Sequence, residues 1–248
     1  MNERYARYTF KSPLLFQEKL NWEEPLIILI THNDGGIDKT RLAVHITGVL
    51  LSRFPKRKTL LLDCDKQHQS WEFFTQARPS YSGDFWQDGK LSVIYNKSRH
   101  PISEFLDLDE IDYTVIDIDT PCESTSRVML DNEPAVVLIP LNKTRKSLGN
   151  LAVTLSIISA FERKMGFSPV VIIVPVGISK TRIEKKLNEI YDGHTNKIFI
   201  GQRIRDVEAQ MQVAVYEDFR YIWNYEGYED LYDKFYSVIS SVISFVHS

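Results

Sequence analysis

Residues 26–40 read LIILITHNDGGIDKT, and this stretch decides the fold of the chain. Its first five residues are apolar and mostly isoleucine and leucine, which predicts a strand buried on both faces of a sheet. A loop with two glycines follows, and the apolar periodicity of Lys39–Phe54 predicts a helix that begins directly after the loop. A strand, a glycine-containing loop that ends in Lys-Thr and a helix together form the context that a phosphate-binding P-loop requires.

The chemistry of such a loop identifies candidate binding residues. Backbone N–H groups form a nest for phosphate oxygens, so Gly35 and Gly36 are candidate phosphate-binding residues. The ammonium group of Lys39 would reach the phosphates, and the hydroxyl group of Thr40 would hold Mg²⁺. Arg41, the next residue, is also a candidate for nucleotide binding. The sequence therefore predicts a nucleotide site at the carboxyl end of the first strand.

Further short apolar runs recur along the chain, separated by segments of helical length. This alternation predicts an α/β fold with a doubly wound, mostly parallel sheet flanked by helices, as in P-loop NTPases. The predicted strands after the first are Thr59–Leu62, Leu91–Tyr95, Thr114–Ile118, Ala135–Ile139, Val170–Val174 and Lys197–Ile200. The predicted helices after the first are Leu148–Met165, Thr181–Tyr191, Asp206–Val215 and Glu229–His247.

Composition limits the possible classes of function. The formal net charge of −3 gives no global attraction to nucleic acid or to an anionic membrane. Two cysteines, Cys64 and Cys122, are too few for a disulfide framework and lack the spacing of metal ligands. No signal peptide or membrane-spanning run is visible, so we expect a cytoplasmic protein. We expect a single domain over residues 25–248, preceded by an N-terminal extension of residues 1–24.

The last predicted helix has two possible roles, packing on the domain or binding a membrane surface. Its apolar residues share one stripe, which both roles require. A membrane-surface helix would also need Lys or Arg on its polar face, and this one offers only Lys234. Packing on the domain is therefore favoured, and we expect no membrane partner.

Three further segments, together with the loop, resemble the ParA/MinD family of deviant Walker A P-loop ATPases. The loop of that family reads Lys-Gly-Gly-x-Gly-Lys-Thr/Ser. Residues 60–67, LLLDCDKQ, look like its second motif, a strand that ends in Asp-x-Asp-Pro-Gln. Residues 112–121, DYTVIDIDTP, are similar to its Walker B strand, and residues 135–140 resemble the strand that ends in Ile-Pro.

The resemblance implies a role for each matching residue. Lys39 would bind the phosphates of ATP, and Thr40 would be a Mg²⁺ ligand. Asp65 would orient the attacking water and would be the catalytic residue of an active enzyme. Asp119 would be the Walker B carboxylate, which reaches Mg²⁺ through water. The region around residues 203–205, with Arg203 and Arg205, loosely resembles the surroundings of the family's base pocket.

The chain departs from the family pattern within the loop itself. Asp34 occupies the place of the family's first lysine, which reaches the partner's nucleotide across the dimer. Asp38 replaces the glycine before Lys39, where a Cβ intrudes on space that the phosphates need. Arg41 stands where a second Thr or Ser is usual, and Lys66 replaces the proline of the second motif.

The two loop aspartates predict that ATP and Mg²⁺ bind weakly or not at all. Two like unit charges about 4 Å apart cost about 4 kcal/mol at an effective dielectric constant of about 20, which is roughly a thousandfold in affinity. We therefore expect a pseudo-ATPase in which Lys39 pairs with Asp38, Asp65 or Asp119. The alternative is that Asp34 and Asp38 are solvated turn residues and that a slow ATPase remains, in keeping with the retained motif residues.

Two basic clusters are candidate contacts for non-specific DNA binding, and solvated helix faces are the alternative. They comprise Lys143, Arg145, Lys146, Lys180, Arg182, Lys185 and Lys186. The resemblance implies a protein of DNA partition or cargo positioning, which dimerises with itself or with a ParA-like relative and binds a partition or adaptor protein. An assembly or regulatory subunit of a secretion, conjugation or polysaccharide machine is the other possibility.

Overall fold

The computed structural model describes residues 25–34, 39–107, 110–119, 122–190 and 198–246. The strands are β1 (Leu26–Ile30), β2 (Thr59–Asp63), β3 (Phe85–Asp88), β4 (Leu91–Tyr95), β5 (Tyr113–Asp117), β6 (Val136–Leu141), β7 (Val170–Pro175) and β8 (Ile198–Ile200). They form one sheet in the order β3-β4-β2-β5-β1-β6-β7-β8. Only the β3–β4 pair is antiparallel among the described strands.

Helices connect the parallel strands, as a parallel sheet requires. They are α1 (Lys39–Arg53), α2 (Gln69–Thr75), α3 (Cys122–Asn132), α4 (Arg145–Met165), α5 (Lys180–Ile190), α6 (Glu208–Tyr216) and α7 (Leu231–Val246). Because β1 lies between β5 and β6 at the centre of the sheet, the loop that follows β1 opens at the middle of the carboxyl edge. This edge is where open α/β sheets bind ligands.

Two apolar cores cover the two faces of the sheet. In β1, Ile28 and Ile30 belong to the core with α1, α6 and α7, whereas Ile27 and Leu29 belong to the core with α3, α4 and α5. Each fully buried side chain of this size contributes about 1.5–3 kcal/mol to folding. Burial of both alternating sets explains why the strands are near-continuous apolar runs. The predicted doubly wound α/β fold is confirmed.

The C-terminal helix α7 packs on the domain, as the lack of basic residues predicted. Phe235, Val238 and Val242 are buried against α1 and β7. Near its end, the ring of Phe245 stacks on Phe199 of β8, with ring centroids 3.6 Å apart. No helix in the described part of the chain is long and apolar enough to cross a membrane.

Several predicted boundaries were wrong, each for a local reason. β5 ends at Asp117 and not at the predicted Ile118. The prediction ran too far because Ile116 and Ile118 are both buried, so the apolar pattern continues beyond the strand. α4 begins at Arg145, three residues early, because the side chain of Thr144 accepts a hydrogen bond from the N–H of Ser147 and caps the helix. The predicted N-terminal extension, residues 1–24, lies outside the described residues.

Candidate functional site

The candidate site begins where β1 ends and α1 begins. α1 starts at Lys39, directly after the glycine-containing loop, as the sequence predicted. Gly35, Gly36 and Asp38 lie outside the described residues. β5 pairs with β1, β2 pairs with β5, and all three strands end at the same edge of the sheet. Asp117, the last residue of β5, is the register partner of both Ile30 and Asp63. Lysine, threonine and carboxylates therefore meet at one edge of the sheet.

Lys39 is buried at this edge and directed back to the loop. Its Nζ donates a hydrogen bond to the backbone carbonyl of Asp34, 2.9 Å away. Burial lowers the pKa of Lys39, whereas Asp117 and, more weakly, Asp65, Asp34 and Asp119 raise it. Among the described carboxylates none is within ion-pair distance of its ammonium group, so the pairing predicted with Asp65 or Asp119 is not formed, and the pairing with Asp38 lies outside the described residues.

Asp34 is buried rather than solvated, with 4% of its surface exposed. Nζ of Lys146, at the start of α4, lies 2.5 Å from its Oδ1 in an ion pair. The charge that stands where the family has a lysine is therefore balanced by a lysine from α4. Lys146 was predicted as a DNA contact, and the structure places its charge at the edge of the phosphate loop.

Two carboxylates, those of Asp63 and Asp117, are fully buried side by side. Burial, followed by the charge of Asp65, raises the pKa of Asp117 to about 6, although the nearby Thr40 and Ser70 hydroxyls and Lys39 lower it. Burial and the charge of Asp117 raise the pKa of Asp63 well above its ordinary value. Oδ1 and Oδ2 of Asp63 accept hydrogen bonds from the N–H groups of Asp65 and Trp71, at 2.9 and 2.7 Å.

Asp117 is a candidate site residue that the sequence interpretation missed. Neither of its carboxylate oxygens has a hydrogen-bond partner of good geometry among the described residues, and both are inaccessible to solvent. It has the largest effect of any acidic residue on the pKa of Lys39. Its position as the last residue of β5 was the available signal, because ligand-binding groups follow the carboxyl ends of such strands.

The predicted catalytic and Walker B residues, Asp65 and Asp119, lie at the same edge. Oδ1 of Asp65 accepts a hydrogen bond of 2.9 Å from the N–H of Gln67, which shapes the turn after β2. Asp119 forms an ion pair with the guanidinium group of Arg99, from the loop after β4. Arg99 was not singled out from the sequence, because its approach to Asp119 depends on the path of a loop.

Arg41 is directed away from the sheet edge towards α6. Its Nη2 donates to Oε1 of Gln212 at 2.6 Å, and its guanidinium carbon lies 5.6 Å from the centre of the Tyr216 ring. A cavity of about 20 Å³, lined by Arg41, Arg205 and Met211 among others, lies beside it. That volume is enough for about one water molecule, far below the volume of a nucleobase.

The donor set at the edge fits Mg²⁺. Mg²⁺ prefers oxygen ligands and is usually held by one or two carboxylates together with phosphates. The hydroxyl group of Thr40 and the carboxylate of Asp117, which lie close to one another, could supply such ligands. The pairing of Asp119 with Arg99 makes Asp119 a weaker candidate than the sequence suggested. Among the described residues, no three His, Cys, Asp or Glu side chains are grouped so that they could hold a metal ion.

The basic clusters follow β6 and β7, which are neighbours in the sheet, so they meet at the same carboxyl edge. In the first cluster Lys143 pairs with Asp206 at 2.8 Å, and Arg145 is exposed. In the second, Lys186 pairs with Glu189 at 3.1 Å. The side chains of Lys180, Arg182 and Lys185 are exposed. The two clusters border one surface.

Comparison with known proteins places the fold. Neither family models nor curated proteins match the sequence. Among solved structures, apo McdA of Cyanothece has a TM-score of 0.66 and 17% identity, covering 88% of this chain and 99% of that one. A plasmid partition protein of Borrelia burgdorferi bound to AMPPNP has a TM-score of 0.61 and 18% identity, covering 88% and 99%. MinD of Aquifex aeolicus has a TM-score of 0.60 and 16% identity, covering 90% and 97%.

These likenesses cover nearly the whole of the described chain and nearly the whole of each relative. At identities below 20% they establish the fold and not the activity. The predicted resemblance is confirmed at that level. This chain has the P-loop fold shared by McdA, ParA-type partition proteins and MinD.

Proposed function

We propose that this protein is a ParA/MinD-like partition or cargo-positioning protein of the cytoplasm, whose nucleotide binding and hydrolysis are lost or strongly reduced. It would act as a dimerising binding module. The observation that carries the proposal is the state of Lys39, which is buried and donates to the carbonyl of Asp34. The lysine that should bind phosphate is instead held by a backbone carbonyl of the protein itself.

Charge at the loop supports reduced nucleotide affinity. The carboxylate of Asp34 is already paired with Lys146, so its repulsion of a phosphate is partly balanced. Asp38 then carries most of the expected penalty, because it adds both a Cβ and a negative charge directly before the phosphate-binding lysine. This is the reason to test Asp38 before Asp34.

If nucleotide does bind, the chain offers a defined division of roles. Lys39 would leave the Asp34 carbonyl and bind the phosphates, while Thr40 and Asp117 would hold Mg²⁺. Bound Mg²⁺ would neutralise part of the phosphate charge. Asp65, which is only partly buried, would orient water. The retained Lys39 and Thr40 and the buried carboxylate of Asp117 support the second candidate, a slow but active ATPase.

The first test is titration of a fluorescent ATP analogue with Mg²⁺ against the natural protein and an Asp38→Gly variant. We expect no micromolar binding by the natural protein, and tighter binding by the variant, up to roughly a thousandfold if the full charge penalty applies. Asp88→Gly, which changes an exposed aspartate of β3, is the matched control. Micromolar binding by the natural protein would refute the proposed loss of nucleotide binding, and phosphate release from ATP would then test the second candidate.

The partners are proposed from the surface and from the solved relatives. One protein of similar structure was solved as a complex of MinC with MinD, and another is a plasmid partition protein. Here we propose a homodimer, or a dimer with a ParA-like relative, that binds an adaptor protein. The exposed Lys180, Arg182 and Lys185 would contact DNA phosphates.

A DNA shift assay over a salt series tests this surface. We expect binding at low salt that weakens steeply as salt rises, because phosphate contacts release counterions. Replacing Lys180, Arg182 and Lys185 with glutamine should abolish it, whereas replacing Lys56, Lys66 and Lys90, which are also exposed, should not. Absence of binding at low salt would favour the assembly-subunit reading over partition.

A further inference from the structure

Arg99 is a cation that reaches the acidic edge from outside the phosphate loop. It lies in the loop between β4 and the turn at Ile102–Glu104, and its guanidinium group forms an ion pair with Asp119. Both side chains are mostly buried, 16% exposed for Arg99 and 12% for Asp119. A pair this sheltered is screened less by solvent than an ordinary surface ion pair.

The loop holds Arg99 in one conformation. Arg99 has a φ of 57°, in the left-handed region that non-glycine residues rarely adopt. Its N–H donates to the carbonyl of Asn96 at 2.9 Å, and the Asn96 side chain exchanges hydrogen bonds with the backbone of His100. The N–H of Asn96 donates to the carbonyl of Asp63 at 2.7 Å, which fastens the loop to β2. Uncommon backbone conformations of this kind cluster at functional sites.

Arg99 shares its surroundings with the buried carboxylates. Burial raises the pKa of the Cys64 thiol, directly after β2, well above its ordinary value; the charges of Asp63, Asp117 and Asp119 raise it further, and that of Arg99 lowers it. These groups therefore lie within electrostatic reach of one buried atom. The carboxylate of Asp117 is fully buried at this edge, and among the described residues only the Thr40 and Ser70 hydroxyls approach it as donors, without good hydrogen-bond geometry. A buried carboxylate so poorly satisfied independently indicates a place for a cation.

We propose that Arg99 is an internal counter-cation of this edge, which pairs with Asp119 and thereby weakens the binding of a divalent cation between Thr40 and Asp117. The inference rests on the proposed function, because it assumes that the edge derives from a site for Mg²⁺ and nucleotide. Arg99 acts through Asp119 and through its own positive charge, so it is a positioning residue and not a ligand. Occupation by Mg²⁺ would require the guanidinium group to leave Asp119 or to tolerate a second positive charge nearby.

The test measures Mn²⁺ binding without nucleotide, by the loss of the free-ion signal in electron paramagnetic resonance. We expect Arg99→Gln to tighten Mn²⁺ binding by at least about tenfold, the lower end of the effect that neighbours of metal ligands have on affinity. Arg99→Lys keeps the charge and should stay within about threefold of the natural protein. Arg57→Gln is the matched control, because it removes an arginine that pairs with Asp112 at the other end of the strands.

A second measurement is made on the natural protein, in which Arg99 is retained. The ¹⁵Nε signal of Arg99, assigned by its absence from Arg99→Lys, should shift or broaden when Mg²⁺ is added to the natural protein. An unchanged signal at saturating Mg²⁺, or equal Mn²⁺ affinity in Arg99→Gln and the natural protein, would overturn the inference. Neither outcome bears on DNA binding or on the effect of Asp38→Gly, so the proposed function can stand or fall independently.

Discussion

Two buried polar regions lie against α1, and they differ in whether their polar atoms are hydrogen-bonded. At the carboxyl edge, the oxygens of Asp117 have no hydrogen-bond partner of good geometry among the described residues, although the Thr40 and Ser70 hydroxyls lie near. Nearly two turns into α1, His45 is also fully buried, but both of its ring nitrogens are hydrogen-bonded. A satisfied buried group stabilises a fold, whereas an unsatisfied one has a cost that a ligand can remove.

The surroundings of His45 show what the satisfied case requires. Its Nε2 accepts from the N–H of Ile222 at 3.0 Å, so Nδ1 must carry the proton and donate to the carbonyl of Arg41 at 2.6 Å. The ring stacks on Phe235 with centroids 4.7 Å apart. Gly48, one turn further along α1, lets the ring of Tyr221 lie against the helix, because a Cβ there would collide with that ring. This region joins α1 to the C-terminal part of the chain.

Among the variants that test this comparison, His45→Ala should cause the largest change in the free energy of unfolding. The variant leaves a cavity and an unpartnered N–H at Ile222, so we expect a loss of about 4 kcal/mol in the free energy of unfolding. Urea denaturation at pH 7 measures it. His100→Ala, at a half-exposed histidine beside Glu104, should change the stability by about 0.5 kcal/mol or less. A similar small loss for both variants would show that the region around His45 is not a structural joint.

The pH dependence of stability sharpens the same comparison. Burial lowers the pKa of His45 to about 4 from its ordinary value of 6.5, so between these values the unfolded chain binds more protons than the folded protein. Stability from this residue is therefore present above pH 6.5 and is lost as the pH falls towards 4. The loss is on the order of 3 kcal/mol, since one pKa unit is about 1.4 kcal/mol.

Subtracting the stability of a His45 variant from that of the natural protein separates the contribution of His45 from those of other titratable groups. His32, whose pKa is also lowered to about 4 by burial and by Lys39, adds a loss in the same pH range. Asp117 acts in the opposite direction, because its pKa is raised. The measurement is therefore the stability of the natural protein minus that of His45→Gln, at pH 7 and at pH 4.5. A difference that does not change with pH would contradict the assigned tautomer and its hydrogen bonds.

The extent to which sequence predicts this molecule depends on how local each signal is. The central strands β1, β6 and β7 were predicted within a residue or two, because strands buried on both faces must be continuous apolar runs. β3 was missed because it is a short edge strand with mostly exposed residues. α2 and α3 were missed because the first is short and the second is largely polar, so neither shows a clear apolar period.

The same principle separates the predicted and unpredicted parts of the site. Lys39 and Thr40 follow a buried strand directly, so their location is a local property of the sequence. Asp117 was hidden because Ile116 and Ile118 flank it, and Asp119 therefore looked like the end of the strand. The pairs Asp34–Lys146 and Arg99–Asp119 join residues far apart in sequence, and only the path of the loops brings them together.

The smallest effect that we expect is that of Asp117→Asn, and it has the opposite sign to that of His45→Ala. Because the pKa of Asp117 is about 6, against an ordinary 3.8, stability falls as the pH rises between these values and the carboxylate ionises. Asparagine has the same shape without the charge, so at pH 8 the variant should be more stable by on the order of 2 kcal/mol, and at pH 4 by much less.

The matched control is Asp112→Asn, at a carboxylate that is fully partnered. Asp112 accepts from Arg57 at 2.6 Å and from the N–H of Lys58 at 2.7 Å, so its variant should lose stability at pH 8. Urea denaturation at both pH values gives the comparison. If Asp117→Asn were destabilising to the same degree as Asp112→Asn, Asp117 would be a satisfied structural residue like His45. A gain in stability, together with weaker Mn²⁺ binding, would instead show a carboxylate kept for a ligand at a cost to the fold.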